Sequence, residues 1–195
     1  MEGFASRTFS WLNEPEIWSG DAERLVIATG KETDFWQSTF YGFRRDTGHA
    51  WLTPVSGDFS AEVSFTGRYE TLYDQAGLML RTGPEKWIKA GIEFTDGLMH
   101  LSTVVTNPVS DWSVVPLHHH SPAEAVHLRI TRHDDVVRVQ YHLGDGAWQM
   151  ARLCPFTAAD AEVGPTASSP QRAGFEANFF NFHVGAPIDR NLHAD

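Results

Sequence analysis

The chain has 195 residues, 42% hydrophobic and 21% charged, with 16 Gly and 10 Pro. That length suits one domain around one core, and the composition excludes wholesale disorder as well as collagen-like or low-complexity sequence. With Lys+Arg 15 against Asp+Glu 25, the net charge of −10 repels phosphate backbones and anionic lipid, so neither nucleic acid nor a membrane is an expected partner.

Taken in chain order, alternation of apolar and polar residues predicts strands over 24–29 and 36–43. Phe59, Ala61, Val63 and Phe65 then alternate with Ser60, Glu62, Ser64 and Thr66, the pattern of a strand with one buried face. In 75–81, Ala76, Leu78 and Leu80 share one face, opposite Gln75, Gly77, Met79 and Arg81. In 86–94, Ile88, Ala90, Ile92 and Phe94 oppose Trp87, Lys89, Gly91 and Glu93. Further strands are predicted over 98–106, 112–116, 126–132, 136–143, 148–153 and 174–184. Turn residues punctuate them at Asp46-Thr47-Gly48, Ser56-Gly57-Asp58, Asp134-Asp135 and Gly144-Asp145-Gly146, and Asp96-Gly97 marks a hairpin. Only 157–163 reads as helical, with Thr157 as N-cap. The segments 117–125 and 164–173 read as irregular connections. Short strands at this spacing predict an all-β antiparallel sandwich or barrel.

The single cysteine, Cys154, forbids an intramolecular disulfide and fits a buried structural thiol in a reducing compartment. The opening Met1-Glu2-Gly3-Phe4-Ala5-Ser6 lacks the basic and apolar regions of a secretory signal, and no run is apolar enough to span a bilayer. A soluble cytoplasmic protein is expected.

Chemistry concentrates on the faces that should point away from the core. Gln75 and Arg81 come from one strand, and Trp87, Lys89 and Glu93 from its neighbour. Indole, ammonium, guanidinium, amide and carboxylate together suit a sugar, whose C–H face packs on aromatic rings while polar groups satisfy its hydroxyls. A solvated sheet face, with Lys89 or Arg81 paired to Glu93, is the alternative. A second group is Asp34 and Trp36, with His49 after a turn glycine. Asp34 either closes a turn or binds ligand. Asp111 and Trp112 follow a proline-containing loop of the kind that carries binding groups at sandwich ends. His118-His119-His120 lacks the spacing by which zinc ligands converge, so no metal and no cofactor are expected.

Several strings in order resemble one family. They are Thr33-Asp34-Phe35-Trp36, Tyr41-Gly42, Gly48-His49, Tyr73-Asp74-Gln75-Ala76-Gly77-Leu78, Trp87-Ile88-Lys89-Ala90-Gly91-Ile92-Glu93, Val104-Val105-Thr106 and Ser110-Asp111-Trp112-Ser113. The match is to domain of unknown function 1349, also described as regulation-of-enolase-protein-1-like, and it spans nearly the whole chain. The resemblance implies a concanavalin A-like lectin/glucanase jelly roll, two curved antiparallel sheets with a concave groove. No reaction comes with it.

That superfamily includes retaining glucanases, which carry Glu-x-Asp-x-x-Glu on one strand because nucleophile and acid must lie about 5–5.5 Å apart. The nearest string here, Glu32-Thr33-Asp34-Phe35-Trp36-Gln37, ends in an amide that has no proton to give a leaving group. The expected function is therefore binding of a carbohydrate or sugar-like metabolite. Trp36 and Trp87 would be stacking platforms, Gln75, Lys89, Glu93 and Asp111 hydrogen-bonding groups, and His49 a rim residue. The alternatives are a sugar-active enzyme using Glu93 with Asp34 or Asp111, and a regulatory domain whose groove holds a protein partner.

Overall fold

The computed structural model describes residues 2–193; Met1, part of the opening segment considered above, and the last two residues lie outside the described residues. The first strands are β1 (Glu2–Gly3), β2 (Ser10–Leu12), β3 (Ile17–Gly20), β4 (Arg24–Ala28), β5 (Phe35–Gln37), β6 (Arg44–Asp46), β7 (His49–Val55), β8 (Phe59–Gly67) and β9 (Gln75–Gly83). They continue as β10 (Lys86–Thr95), β11 (Leu98–Thr106), β12 (Ser110–Pro116), β13 (Val126–His133), β14 (Val136–Leu143), β15 (Gln149–Pro155), β16 (Ala161–Ser168) and β17 (Glu176–Gly185). A 3-10 turn at Phe4–Ser6 is the one helical element among the described residues.

The strands form an antiparallel β-sandwich of jelly-roll type. One sheet runs β15-β14-β13-β8-β17-β4-β3, with β1 added beside β17, and the other runs β12-β11-β10-β9-β16-β7-β2. Strand parity builds the space between them. Ala76, Leu78 and Leu80 of β9 and Ile88, Ala90 and Ile92 of β10 meet Ala61, Val63, Phe65, Leu128 and Phe179 of the opposing sheet in one apolar core. Cys154 is buried in the same core.

The odd-numbered residues of β9 and β10 consequently lie on the outer face of the seven-stranded sheet. Register sorts that face into rows across the strands. Arg81 pairs with Trp87, and Trp87 with Thr106; Met79 pairs with Lys89, Lys89 with Val104, and Val104 with Trp112. Next come Gly77, Gly91 and Ser102, then Gln75, Glu93 and His100.

The small β5–β6 ribbon, a sheet of its own, lies over the first two rows. Phe35 and Trp36 pack with Leu52, Met79, Trp87 and Val104 into a second apolar cluster. Polar contacts fix the ribbon at both margins: Arg81 makes a bidentate pair with Asp46 at 3.0 and 2.8 Å, and the Ser110 hydroxyl accepts from the Gln37 amide at 2.9 Å.

Several expectations from sequence need correction. The strand over 36–43 stops at Gln37, because Ser38, Phe40 and Gly42 all have positive φ (62°, 61° and 72°) and the chain reverses. The helix over 157–163 does not form, and 164–173 is not wholly irregular. Ala161–Ser168 is a strand bonded to both β7 and β9, and pairing on two sides overrides the helical preference of Ala and Glu. Strand β7, with Pro54 near its end, and the short β1, β2 and β3 went unread.

Candidate functional site

Beyond the ribbon, the glycine row leaves a hollow in the sheet face. Two glycines, Gly77 and Gly91, contribute no side chain between the lysine row and the glutamate row. Lys89 crosses this gap. Its ammonium donates to Gln75 Oε1, to the Phe35 carbonyl at 3.2 Å and to Asp34 Oδ1 at 3.5 Å. The Gln75 amide nitrogen in turn donates to Asp34 Oδ1 at 3.4 Å and to the Tyr73 carbonyl at 3.2 Å. Three protein acceptors thus surround one buried cation, the arrangement that offsets its desolvation.

Glu93 stands at the other side of the hollow, 6% exposed. The Ser102 hydroxyl donates to its Oε2 at 2.8 Å, and that hydroxyl accepts from the Trp112 indole at 3.1 Å. Burial pushes the Glu93 carboxyl above its ordinary range, Lys89 and Ser102 pull it down, and the nearby Asp34 carboxylate raises it again. Burial wins.

Above this floor opens a cavity of about 210 Å³, many times the ~10–15 Å³ that one water requires. Its walls are aromatic: Trp36 and Tyr41 stand edge-on, with centroids 6.0 Å apart, and Trp36 meets Trp112 at 88° and 6.4 Å. Phe43 stacks on Tyr41 at 5.5 Å. The Tyr41 and Tyr73 hydroxyls approach to 3.4 Å, and that contact, with burial, pushes the Tyr73 phenol up to about 12.

Pro170 and Gln171 complete the lining. Their loop is fastened by Arg172, whose guanidinium grips the fully buried Asp74 at 3.0 and 2.6 Å and also reaches Glu70 at 2.9 Å. Asp74 additionally accepts the Glu70 and Thr71 amides, so one carboxylate holds two wall segments together.

The Thr29–Asp34 side is closed as well. The Gly30 amide donates to His49 Nε2 at 3.0 Å, while His49 Nδ1 donates to the Asn13 carbonyl. Ser169 ties the same segment down: its amide donates to the Thr33 hydroxyl at 2.9 Å, and its own hydroxyl bonds that of Thr29.

A family model described as Protein of unknown function (DUF1349) matches residues 11–187. The chain belongs to this family. It is 40% identical over 185 residues to Regulation of enolase protein 1 of Saccharomyces cerevisiae, covering 94% of this chain and 92% of that protein. An uncharacterized protein of Emericella nidulans is 32% identical over 123 residues, 60% of each chain. Among solved structures, a functionally unknown protein from Saccharomyces cerevisiae superposes with a TM-score of 0.88 at 40% identity, over 93% of this chain and 97% of that one. A xylan beta-1,4-xylosidase from Bacillus halodurans superposes at 0.64 with 16% identity, over 83% of this chain but 32% of that one. The likeness to the xylosidase is one of fold.

In this family member the candidate residues read from sequence divide into two groups. Asp34, Trp36, Gln75, Lys89, Glu93 and Trp112 converge on the cavity. Trp87 does not: it is fully buried beneath the ribbon, its indole donates to the Pro84 carbonyl at 3.1 Å, and no ligand ring has access to it. Arg81 lies in the same covered row, paired with Asp46 rather than Glu93. His49 is 6% exposed and bonded through both ring nitrogens, a brace rather than a rim group. Asp111 points away from the cavity into an exposed ion pair with Arg152 at 2.6 Å, which removes it as a partner for Glu93. Lys89 takes Asp34, not Glu93, as its carboxylate neighbour.

Residues that sequence reasoning missed are Phe43, Tyr73, Ser102 and Gln171. Tyr41 and Tyr73 belong to the strings that carried the family resemblance, but their meeting depends on two turns with positive φ, which alternation does not reveal. Among the described residues, no group of three or more His, Cys, Asp or Glu is placed to hold a metal ion. No helix is long and apolar enough to cross a membrane.

Proposed function

We propose that this protein binds a neutral, hydroxyl-rich small molecule, a saccharide or sugar-like metabolite, in the cavity between Trp36, Trp112 and Glu93. The observation that carries this reading is the pairing of an aromatic wall with a floor of buried, mutually bonded polar groups. Trp36, Trp112 and Tyr41 offer faces and edges to C–H groups, while Asp34, Gln75, Lys89 and Glu93 offer donors and acceptors to hydroxyls. Charge argues for a neutral ligand. The one ammonium is already surrounded by protein acceptors, the Asp34 carboxylate among them. The guanidiniums nearest the floor, Arg81 and Arg172, are both engaged by aspartates, and Arg45 lies over the Phe43 ring at the outer wall.

Thermal-shift screening of neutral sugars and polyols, followed by calorimetry, tests the reading. A ligand at about a hundred times its Kd stabilises by ~2.7 kcal/mol. Glu93→Gln and Trp112→Phe should each weaken binding at least about tenfold, or ~1.4 kcal/mol. A panel with no binder rejects the assignment, and turnover lost in Glu93→Gln moves it to a sugar-active enzyme. One buried cysteine suits a reducing compartment, so residence in the cytoplasm is part of the proposal.

A second reading is a regulatory interaction with a metabolic enzyme. It is supported by the name of the Saccharomyces cerevisiae relative and by the loop at the cavity mouth, where Phe40 is 93% and Tyr41 49% exposed. Phe40→Ser should then abolish capture of that enzyme without changing sugar binding.

A further inference from the structure

The groove that the fold would otherwise leave open across this sheet is closed on two sides, and the closure decides which part of a saccharide fits. Along the strand direction, the β5–β6 ribbon occupies the first two rows, with Phe35 and Trp36 seated on Met79, Trp87 and Val104. The fully buried Phe35 and Trp87 rings meet at 6.1 Å, so nothing threads beneath. Across the strands, the segment from Thr29 to Asp34 stands at the β16–β7 side. It is tied down by the Gly30–His49, Ser169–Thr33 and Ser169–Thr29 hydrogen bonds.

Asp34 sits at this closed end and bonds inward to Gln75 and Lys89. A chain lying lengthwise in the groove would have to pass through both barriers. Each barrier is held by several mutually supporting contacts, so opening either would cost many of them at once.

Resting on the saccharide reading above, we infer that the cavity takes a single terminal or free neutral sugar ring, entered end-on, and excludes the internal residues of a glycan. The ring would lie among Trp36, Tyr41 and Trp112, between the Lys89–Gln75–Asp34 group and Glu93. The aromatic loop carrying Tyr41 and Phe43 would border its exit. Any second sugar would project past that loop toward solvent and add little contact.

Calorimetry with the full wild-type chain tests this without relying on a variant that must fold. The probes are free glucose, xylose, galactose, arabinose and mannose, their linear oligosaccharides from two to six units, a cyclic oligosaccharide that has no terminal residue, and glucose 6-phosphate. The expected result is binding of at least one free monosaccharide, with affinity changing less than about threefold along its oligosaccharide series, because the added rings lie outside the cavity. The cyclic probe and the phosphate should bind at least about tenfold more weakly. Affinity that climbs steadily with length, or binding of the cyclic probe as tight as the linear ones, overturns the end-on inference while leaving saccharide binding intact. Tighter binding of glucose 6-phosphate than of glucose overturns the neutral-ligand part. No binding by any probe removes the saccharide reading, and the inference with it.

Discussion

Gly77 and Gly91 face each other across the two strands between the Lys89 and Glu93 rows, and neither position has room for a β-carbon. A methyl at Gly91 would come within 2.0 Å of the Ala76 carbonyl oxygen, and one at Gly77 within 1.9 Å of that of Ala90. The pair therefore lets the two strands approach backbone to backbone. Gly91→Ala should destabilise the protein by about 3 kcal/mol, the upper end for overpacking, because the obstructing atoms are backbone and have little freedom to yield. Urea denaturation measures the change; a loss below about 1 kcal/mol would show that the strands adjust.

Glu93 should make stability fall as pH rises. Burial lifts its carboxyl above the ordinary 4.5, so the folded protein holds that proton more tightly than the unfolded chain does. Stability from this group is complete below about pH 4.5 and is lost through the window up to the raised folded value, by about 1.4 kcal/mol for each unit of difference. Glu93→Gln removes the ionisation. The variant should gain relative to the native protein between about pH 4 and pH 8, as read from paired denaturation curves. A constant difference across that range would contradict the assignment.

His49 should act in the opposite direction. Burial lowers its pKa below 6.5, outweighing the bond to the Asn13 carbonyl, and the Gly30 amide requires Nε2 to stay unprotonated. As pH falls below about 6.5 the unfolded chain takes up a proton that the folded one refuses, so stability declines until the folded value is reached. The two groups tilt stability in opposite directions, Glu93 as pH rises from about 4.5 and His49 as pH falls from about 6.5. His49→Gln should remove the loss of stability on the acid side of pH 6.5, as read from paired denaturation curves.

Asp74 and Arg172 form the tightest charged contact at the cavity wall, and the aspartate is fully buried. Asp74→Asn should cost about 3 kcal/mol, since it leaves the guanidinium facing an amide in a site built for a carboxylate. Because Pro170, Gln171 and Tyr73 depend on the same clamp, ligand affinity should fall together with stability. Conserved affinity in a destabilised variant would show that the wall holds without it.

Much of the fold was legible because both faces of β9 and β10 announce themselves. Ala76, Leu78 and Leu80 had to turn inward, which put Gln75 and Met79 outward, and the same parity set Lys89 and Glu93 beside them. What alternation cannot show is a third layer. Trp87 shares the outward parity of Lys89, yet the ribbon buries it completely, so it reads from sequence as an exposed indole and serves as packing. His49 and Arg81 were misplaced for a related reason, since their partners Gly30, Asn13 and Asp46 come from segments whose path depends on turns with positive φ. Ala161–Ser168 was hidden differently: Ala161 and Glu162 favour helix locally, Gly164-Pro165 reads as a loop, and only the two flanking strands make the whole segment extended.

The ribbon at Phe35–Asp46 has a consequence for how this architecture diversifies. The strands beneath it pair without it, so trimming those dozen or so residues would turn a socket into an open trough, but would also uncover Trp87 and take from Lys89 and Arg81 the Phe35 carbonyl and Asp46 carboxylate they bond. On the saccharide reading, the length of this ribbon would then decide whether the trough grasps only the tip of a glycan or lets it run on.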